Sequence, residues 1–404
     1  MTHSTRRTFV GGSLALGTAL ALPGRALAQT GTASAGKLFQ MMGVNLQVWY
    51  AKNAWPQRLL ELGVPNVRTN CHENKDFISR IGTWLGTGGR INSIISTSTP
   101  LDKAMAARNL NFLKGYVGLR NISGIEGPNE YNGATTNWAA ELRAFVQWTH
   151  STVRADSAFA NIPLIAPSLK YNPAHYSALG DLSRYVDRGN IHFYSGRLRP
   201  TLGGGTTMPG ALSIASATAP GRPIWMTESG WQALVGNAAI SLKAQAKYVV
   251  RNYFDAFGFG VEKLFTFHLM DNISKLFGLC NADASPKPSF FALKNLVALF
   301  KDPITSARSL SYSVSGAPAS LKAFPFSKSD GSFLLAFYLD VNSFDPQALR
   351  DIDTNVRVTV RFPVKARRIE VYQPTFTPNM LIALSGTEAS VTASDELTVL
   401  KIWF

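Results

Sequence analysis

The stretch Ile122-Ser123-Gly124-Ile125-Glu126-Gly127-Pro128-Asn129-Glu130 decides the reading of the fold. Its first part, Ile122–Glu126, is a short apolar run of strand length. Gly127-Pro128 stops the run, and the helical pattern Trp138–Arg154 follows. The same alternation returns on both sides. Strands are expected at Met41–Gln47, Asn66–Asn70, Ile91–Ser96, Pro163–Pro167, Asn190–Tyr194, Pro223–Thr227 and Lys263–Leu269. Helical patterns such as Leu242–Phe257 lie between them. Eight strands alternating with helices predict a closed parallel (β/α)8 TIM barrel over residues 36–302.

After Pro303 the pattern changes. Phe333–Asp340, Asn355–Phe362, Arg368–Gln373 and Leu397–Phe404 are rich in β-branched and aromatic residues, and turn signals such as Ser329-Asp330-Gly331 separate them. No helical period appears. Residues 303–404 are therefore expected to form a C-terminal antiparallel β-sandwich, to which residues 32–40 can add a strand.

The chain opens differently. Arg6-Arg7 precede an apolar run from Phe9 to Leu22, and Ala26-Leu27-Ala28 supplies a small-residue cleavage site. Residues 1–28 read as a twin-arginine (Tat) export signal, which implies a periplasmic or secreted protein. The apolar run is too short to span a membrane comfortably, and no other segment has the length and apolarity of a transmembrane helix. The formal charge is +15, and loss of Arg6, Arg7 and Arg25 with the signal lowers it by three. Such an excess favours anionic partners. The absence of dense basic runs and the export signal argue against nucleic acid. The charge itself does not choose between a polysaccharide and a membrane surface, and an anionic or mixed-charge polysaccharide is the substrate hypothesised from it. Cys71 and Cys280 are the only cysteines. A single disulfide is permitted after export, and two free buried thiols are the other reading.

In such a barrel, functional groups stand at the C-terminal ends of strands and on the loops beyond. Glu130 follows the fourth strand. Glu228 ends the seventh, in Ile224-Trp225-Met226-Thr227-Glu228-Ser229-Gly230. These strands face each other across the mouth, and two opposed carboxylates are the equipment for cleaving a glycosidic bond. A solvated or salt-bridged glutamate is the usual reading of either residue alone. It is weaker here because only 25 acids occur in 404 residues and both glutamates follow apolar runs.

Gly-Pro-Asn-Glu on strand four with Thr-Glu-Ser-Gly on strand seven resembles clan A of the glycoside hydrolases, most closely the family 39 type of barrel plus β-sandwich. The resemblance implies that Glu130 is the acid/base, Glu228 the nucleophile and Asn129 a donor to the sugar 2-hydroxyl. It gives Arg68, at the end of strand two, the task of keeping Glu228 ionised. His192-Phe193-Tyr194 resembles the clan's His-x-Tyr, with Tyr194 orienting the nucleophile. Alternation places His192 and Tyr194 on one face of strand six. Clan members usually carry a tryptophan at the end of strand eight. Phe265-Thr266-Phe267-His268-Leu269 stands there instead, so Phe267 or His268 is expected in that place.

Trp49, Tyr50 and Trp231 follow strand ends and are candidate sugar platforms, with loop packing as the alternative. The loop Gly196–Gly210, with Arg197, Arg199 and Gly203-Gly204-Gly205, is a candidate cover for a bound chain. No cofactor and no metal are expected. Two rival functions remain. One is a metal-dependent barrel hydrolase using His72, Glu73, His192 and His268, for which the sequence offers no His-x-His or His-Glu-x-x-His pattern. The other is a carbohydrate-binding or transglycosylating protein that does not hydrolyse.

Overall fold

The computed structural model describes residues 31–47, 54–203, 205–234, 239–272 and 276–404. The export-signal reading, Trp49, Tyr50 and Gly204 lie outside the described residues. Among those described, no helix is long and apolar enough to cross a membrane.

Eight parallel strands form the barrel: Met42–Asn45, Asn66–Thr69, Arg90–Ile94, Ile122–Glu126, Leu164–Ile165, Gly189–His192, Ile224–Ser229 and Lys263–Thr266. Numbered one to eight in chain order, they pair as 5-4-3-2-1-8-7-6. A parallel bridge from Ile165 to Arg188 closes the gap between strands five and six. The strands are shorter than expected at several C-terminal ends. There the chain leaves the ladder to present side chains to the mouth, as at Asn70, Tyr194 and Phe267.

The barrel interior is sorted along its axis. Ile165, Trp225 and Phe265 form a small apolar cluster of their own. Their bulk requires glycine opposite: a Cβ on Gly43 would meet the Phe265 ring at 2.5 Å, and one on Gly124 would meet Trp225 at 3.0 Å. Toward the C-terminal end the interior turns polar, with Asn45, Arg68, Asn92, Glu126, Asn190 and Thr227 all buried. Buried polar atoms must find partners, and this layer becomes the floor of the site.

The second unit is a seven-stranded sheet folded into a sandwich, with a core of Leu335, Phe337, Val360, Ile369, Leu400 and Ile402 among others. The long strand Asn355–Tyr372 pairs with Ser313–Ser315 and Met380–Ser394, and near its end with Thr398–Trp403. The sheet is not wholly antiparallel. Ala33 and Ser34 run parallel to Phe326 and Ser327 at its edge. The rest of the segment expected to be extended is helical, Ala35–Met41. Gly36 lets that helix lie on the chain leaving the barrel, since a Cβ there would come within 2.2 Å of the Ile304 carbonyl oxygen.

The sandwich packs on helix Leu242–Gly258. Every residue from Ala244 to Ala256 is buried, including Lys247, Arg251 and Asp255. A helix buried on all sides has protein on both its faces, here barrel and sandwich. Its charges are met across the junction: Lys247 pairs with Asp353 and Asp395, and Asp255 with Lys322.

Cys71 and Cys280 are both free and buried, so no disulfide joins them. Burial pushes both thiols up to about 12, although Ser93 donates to Cys71 Sγ.

Candidate active site

The polar layer is organised by one guanidinium. Arg68 ends strand two, and its five N–H donors are all engaged. Nε and Nη2 form a bidentate pair with Glu126 at 2.8 and 2.7 Å. Nη1 reaches Asn45 Oδ1 at 3.0 Å and Glu228 Oε1 at 2.7 Å, and Nη2 also reaches Asn129 Oδ1 at 2.7 Å. A buried cation is costly unless paired. Here burial acts to lower the Arg68 pKa, but the carboxylates of Glu126 and Glu228 outweigh it and hold the group charged.

Glu228 is therefore fixed at both oxygens. Arg68 holds Oε1, and the Tyr194 hydroxyl donates to Oε2 at 2.6 Å. Burial alone would raise its pKa. The neighbouring His192, the Arg68 charge and the hydrogen bonds from Tyr194 and Arg68 overcome this, so the carboxyl is held below the ordinary glutamate range. Tyr194 itself stays protonated, its pKa pushed well up by burial and by Glu228.

Glu130 stands apart in backbone as well as role. Asn129 extends the ladder by a parallel bridge to Ser168, and then Glu130 turns into left-handed space at φ 48°. Such a conformation costs a non-glycine residue on the order of 1–3 kcal/mol. The turn carries the carboxyl to His192, whose Nδ1 lies 2.9 Å from Glu130 Oε1 and 3.5 Å from Glu228 Oε2.

The hydrogen-bond chain behind His192 fixes its tautomer. Asn190 uses its amide to donate to Glu126 and to the Ala166 carbonyl, so its oxygen is an acceptor. The Thr227 hydroxyl donates to that oxygen at 2.7 Å. Thr227 Oγ1 can then only accept from His192 Nε2, 3.1 Å away. With Nε2 carrying its proton, Nδ1 is the His192 atom that faces the Glu130 carboxyl.

Two cavities meet at Glu228 and Phe267. The first, about 280 Å³, is lined by Glu130, Tyr194, Gly196, Gln232 and Phe277 besides. The second, about 100 Å³, is lined by Asn45, Gln47, Arg68, Asn70, Thr97 and Asn129 among others. Glu130 opens only to the first and Asn129 only to the second. With the Asn129 oxygen taken by Arg68 and Ser168, its amide is the donor edge.

The structure thus gathers Arg68, Asn129, Glu130, His192, Tyr194 and Glu228 in one cleft. Two candidates fall outside it. Trp231 is no sugar platform: it is buried, donates to the Leu198 carbonyl at 2.9 Å and packs on Tyr248. His268 is buried and stacks against Phe267, and it is Phe267 that meets the cavities. The residues named for a metal-dependent hydrolase do not converge. His72 bonds Asn70 and Thr97, and Glu73 pairs with Arg108. Among the described residues, the one group of three side chains able to share a metal is Glu130, His192 and Glu228. Both Glu228 oxygens there already accept hydrogen bonds from Arg68 and Tyr194. The loop after strand six lines the first cavity with Gly196, but its arginines reach the sandwich and not the cleft. Arg197 donates to the Pro346 carbonyl, and Arg199 pairs with Asp340 on the sandwich.

Sequence reasoning missed Glu126, Asn92, Asn190 and Asn45, which build the floor, and Gln232 and Phe277, which line the first cavity. The floor had a signal, since amides and a carboxylate inside apolar strand runs are depleted residue types. Gln232 and Phe277 lie on loops without any pattern.

No protein-family model matches the chain, and no characterised protein matches it in sequence. Solved structures do resemble it. A family 39 glycoside hydrolase from Bacteroides cellulosilyticus superposes with a TM-score of 0.63 at 16% identity, over 90% of this chain and 81% of that one. The family 39 enzyme from Xanthomonas axonopodis gives 0.59 at 14% identity, over 92% and 96%. A glucosidase from Croceicoccus marinus gives 0.62 at 11% identity, over 93% and 98%. The likeness is one of fold. It spans barrel and sandwich together, the arrangement expected from the sequence.

Proposed function

We propose that the protein is a retaining glycoside hydrolase of the clan A kind, acting on an extracellular or cell-envelope polysaccharide after export. The observation that carries this reading is the spacing of the carboxylates. Glu130, His192 and Glu228 each offer an atom within 4.8 Å of the others. Retaining enzymes hold their two carboxyl groups about 5–5.5 Å apart, whereas inverting ones leave roughly 6.5–9.5 Å for a water.

The chemistry follows from the contacts. In the first step a Glu228 oxygen attacks the anomeric carbon, the bond to the leaving oxygen breaks, and Glu130 gives that oxygen its proton. In the second, Glu130 takes a proton from water, the water oxygen bonds to the anomeric carbon, and the ester to Glu228 breaks. The acid must face the leaving group, so the first cavity takes the aglycone. The second, with the Asn129 amide, takes the glycone. Phe267 lies under both. The fold likeness to family 39 enzymes supports the glycosidase reading.

Proton NMR of the earliest products tests it. Release of the same anomer as the substrate linkage is expected. Glu228→Ala should be inactive, and azide should restore turnover by giving a glycosyl azide of inverted configuration. Early release of the opposite anomer would overturn the mechanism, and no sugar release from any polysaccharide would overturn the function.

A further inference from the structure

A third groove, about 560 Å³, lies on the opposite end of the barrel. Arg90 opens strand three and Asn121 immediately precedes strand four, so the groove faces away from the mouth. Its walls are Tyr116, Arg90, Arg120 and Asn121, and its rim is built from Gly82, Gly86 and Gly88. A Cβ on any of these three glycines would meet nothing within 4 Å, so the rim is low and open.

Three features point to one class of ligand. Tyr116 is 45% exposed, and Phe112 stacks behind its ring at 5.1 Å, holding it in place. An immobilised, exposed ring suits the apolar C–H face of a sugar. Arg90 and Arg120 are exposed, and neither is in an ion pair among the described residues, although Arg90 Nη2 donates to the Ile122 carbonyl at 2.7 Å. Lys75 adds a third cation, whose ammonium sits over the Tyr116 ring 5.4 Å from its centre and must swing aside for a sugar to stack there. No acidic side chain lines the groove among the described residues.

We propose that this groove is a second carbohydrate site, which binds an anionic polysaccharide while the cleft cuts elsewhere on the same polymer. The proposal rests on the glycoside hydrolase reading for its purpose but not for its test. An aromatic ring flanked by cations recognises a uronate-type residue: the ring meets the pyranose face and the Arg120 guanidinium fork meets the carboxylate. It also gives the chain's basic excess a place to act.

Affinity electrophoresis of the full chain in gels containing polygalacturonate, with dextran as the neutral control, tests it. Retardation by polygalacturonate and not by dextran is expected. Tyr116→Ala and Arg120→Ala should each weaken binding about tenfold, equivalent to roughly 1.4 kcal/mol. Gly86→Glu, which leaves the ring and both arginines in place but adds a like charge to the ligand, should weaken it too. Arg357→Ala, which removes an exposed charge on the sandwich, should not. Turnover of a short soluble oligosaccharide should be unchanged in all four variants. The proposal is overturned if the wild type is not retarded, if the groove variants migrate like it, or if Arg357→Ala weakens binding equally. A wild type that is retarded yet releases no sugar would leave the groove standing and remove the hydrolase reading.

Discussion

Tyr194 and Arg68 set the acid side of the pH profile. In the proposed mechanism Glu228 must be ionised to attack, and its carboxyl is held below the ordinary range despite burial by His192, Arg68 and Tyr194. The acid limb of kcat/KM should therefore lie below about pH 4.3, the value of a free glutamate. Tyr194→Phe removes a donor from Oε2, so the limb should move to higher pH; an unmoved limb would mean the hydroxyl does not stabilise the anion. The same depressed pKa links to stability. It stabilises the fold above the unfolded pKa, and that contribution is lost as pH falls through the folded one. Glu126 is a different case. It is fully buried and takes the bidentate face of Arg68. Glu126→Gln should destabilise the protein by about 1–3 kcal/mol in urea unfolding, because the new amide turns a donor toward Arg68, Asn92 and Asn190, which all donate there. Glu228→Gln should cost less, because fewer donors meet Glu228, and Arg68 keeps one carboxylate in either variant. The two glutamates that open to the cleft were legible because charge after an apolar strand asks for a purpose. Glu126 was read as strand, because nothing in a single sequence separates a structural acid from a catalytic one. Trp231 proves to be packing and not a sugar platform, because position after a strand end says nothing about which way an indole turns.

Among the elements, the eight strands were legible from apolar runs between turn signals, and their ends were not. Residues such as Tyr194 and Phe267 continue the apolar pattern after the ladder has stopped, because they line cavities rather than neighbouring strands. The loop after strand six was also half legible. Its glycines and arginines suggested a cover over the cleft, yet the arginines are spent on the sandwich. The Arg199 amide donates to Asn342 Oδ1, and Trp231 holds the Leu198 carbonyl from the barrel side. The loop begins at Tyr194 and places Gly196 in the wall of the first cavity. Its clamp is thus a clamp on the first cavity, the leaving-group side in the proposed mechanism. Asn342→Ala should cost about 1 kcal/mol of stability, one hydrogen bond's worth. It should raise KM several-fold on long substrates and leave kcat near its wild-type value, since the lost contact serves binding and not the transition state. A fall in kcat with KM unchanged would show that the loop acts on Glu228 through Tyr194.

At the scale of the molecule, the sequence divides into a barrel pattern and a strand pattern, and that division invites cutting the chain near residue 302. The packing argues against it. Helix Leu242–Gly258 belongs to the barrel by sequence order, yet its outer face carries Tyr248, Arg251 and Asp255, whose partners are on the sandwich. Tyr248 accepts from the Ser343 amide, Arg251 donates to the Val341 and Asp395 carbonyls, and Tyr338 donates to Asp255 at 2.6 Å. Phe254 packs against Phe324, Phe326 and Tyr338 as well as Phe300 of the barrel. Asp255 is raised by burial even with Lys322 beside it, so without Lys322 and Tyr338 only Arg251 would remain to offset its charge. Removing residues 303–404 would uncover this apolar face and strip the sandwich partners from three buried charges at once, Lys247, Arg251 and Asp255. The fragment ending at Asp302 should therefore be insoluble or aggregate on expression, whereas the full chain should unfold in one transition with barrel and sandwich lost together. Calorimetry of the full chain is the sharper measurement. Two separated transitions would mean that the junction adds little, and the barrel would then stand alone as a soluble enzyme.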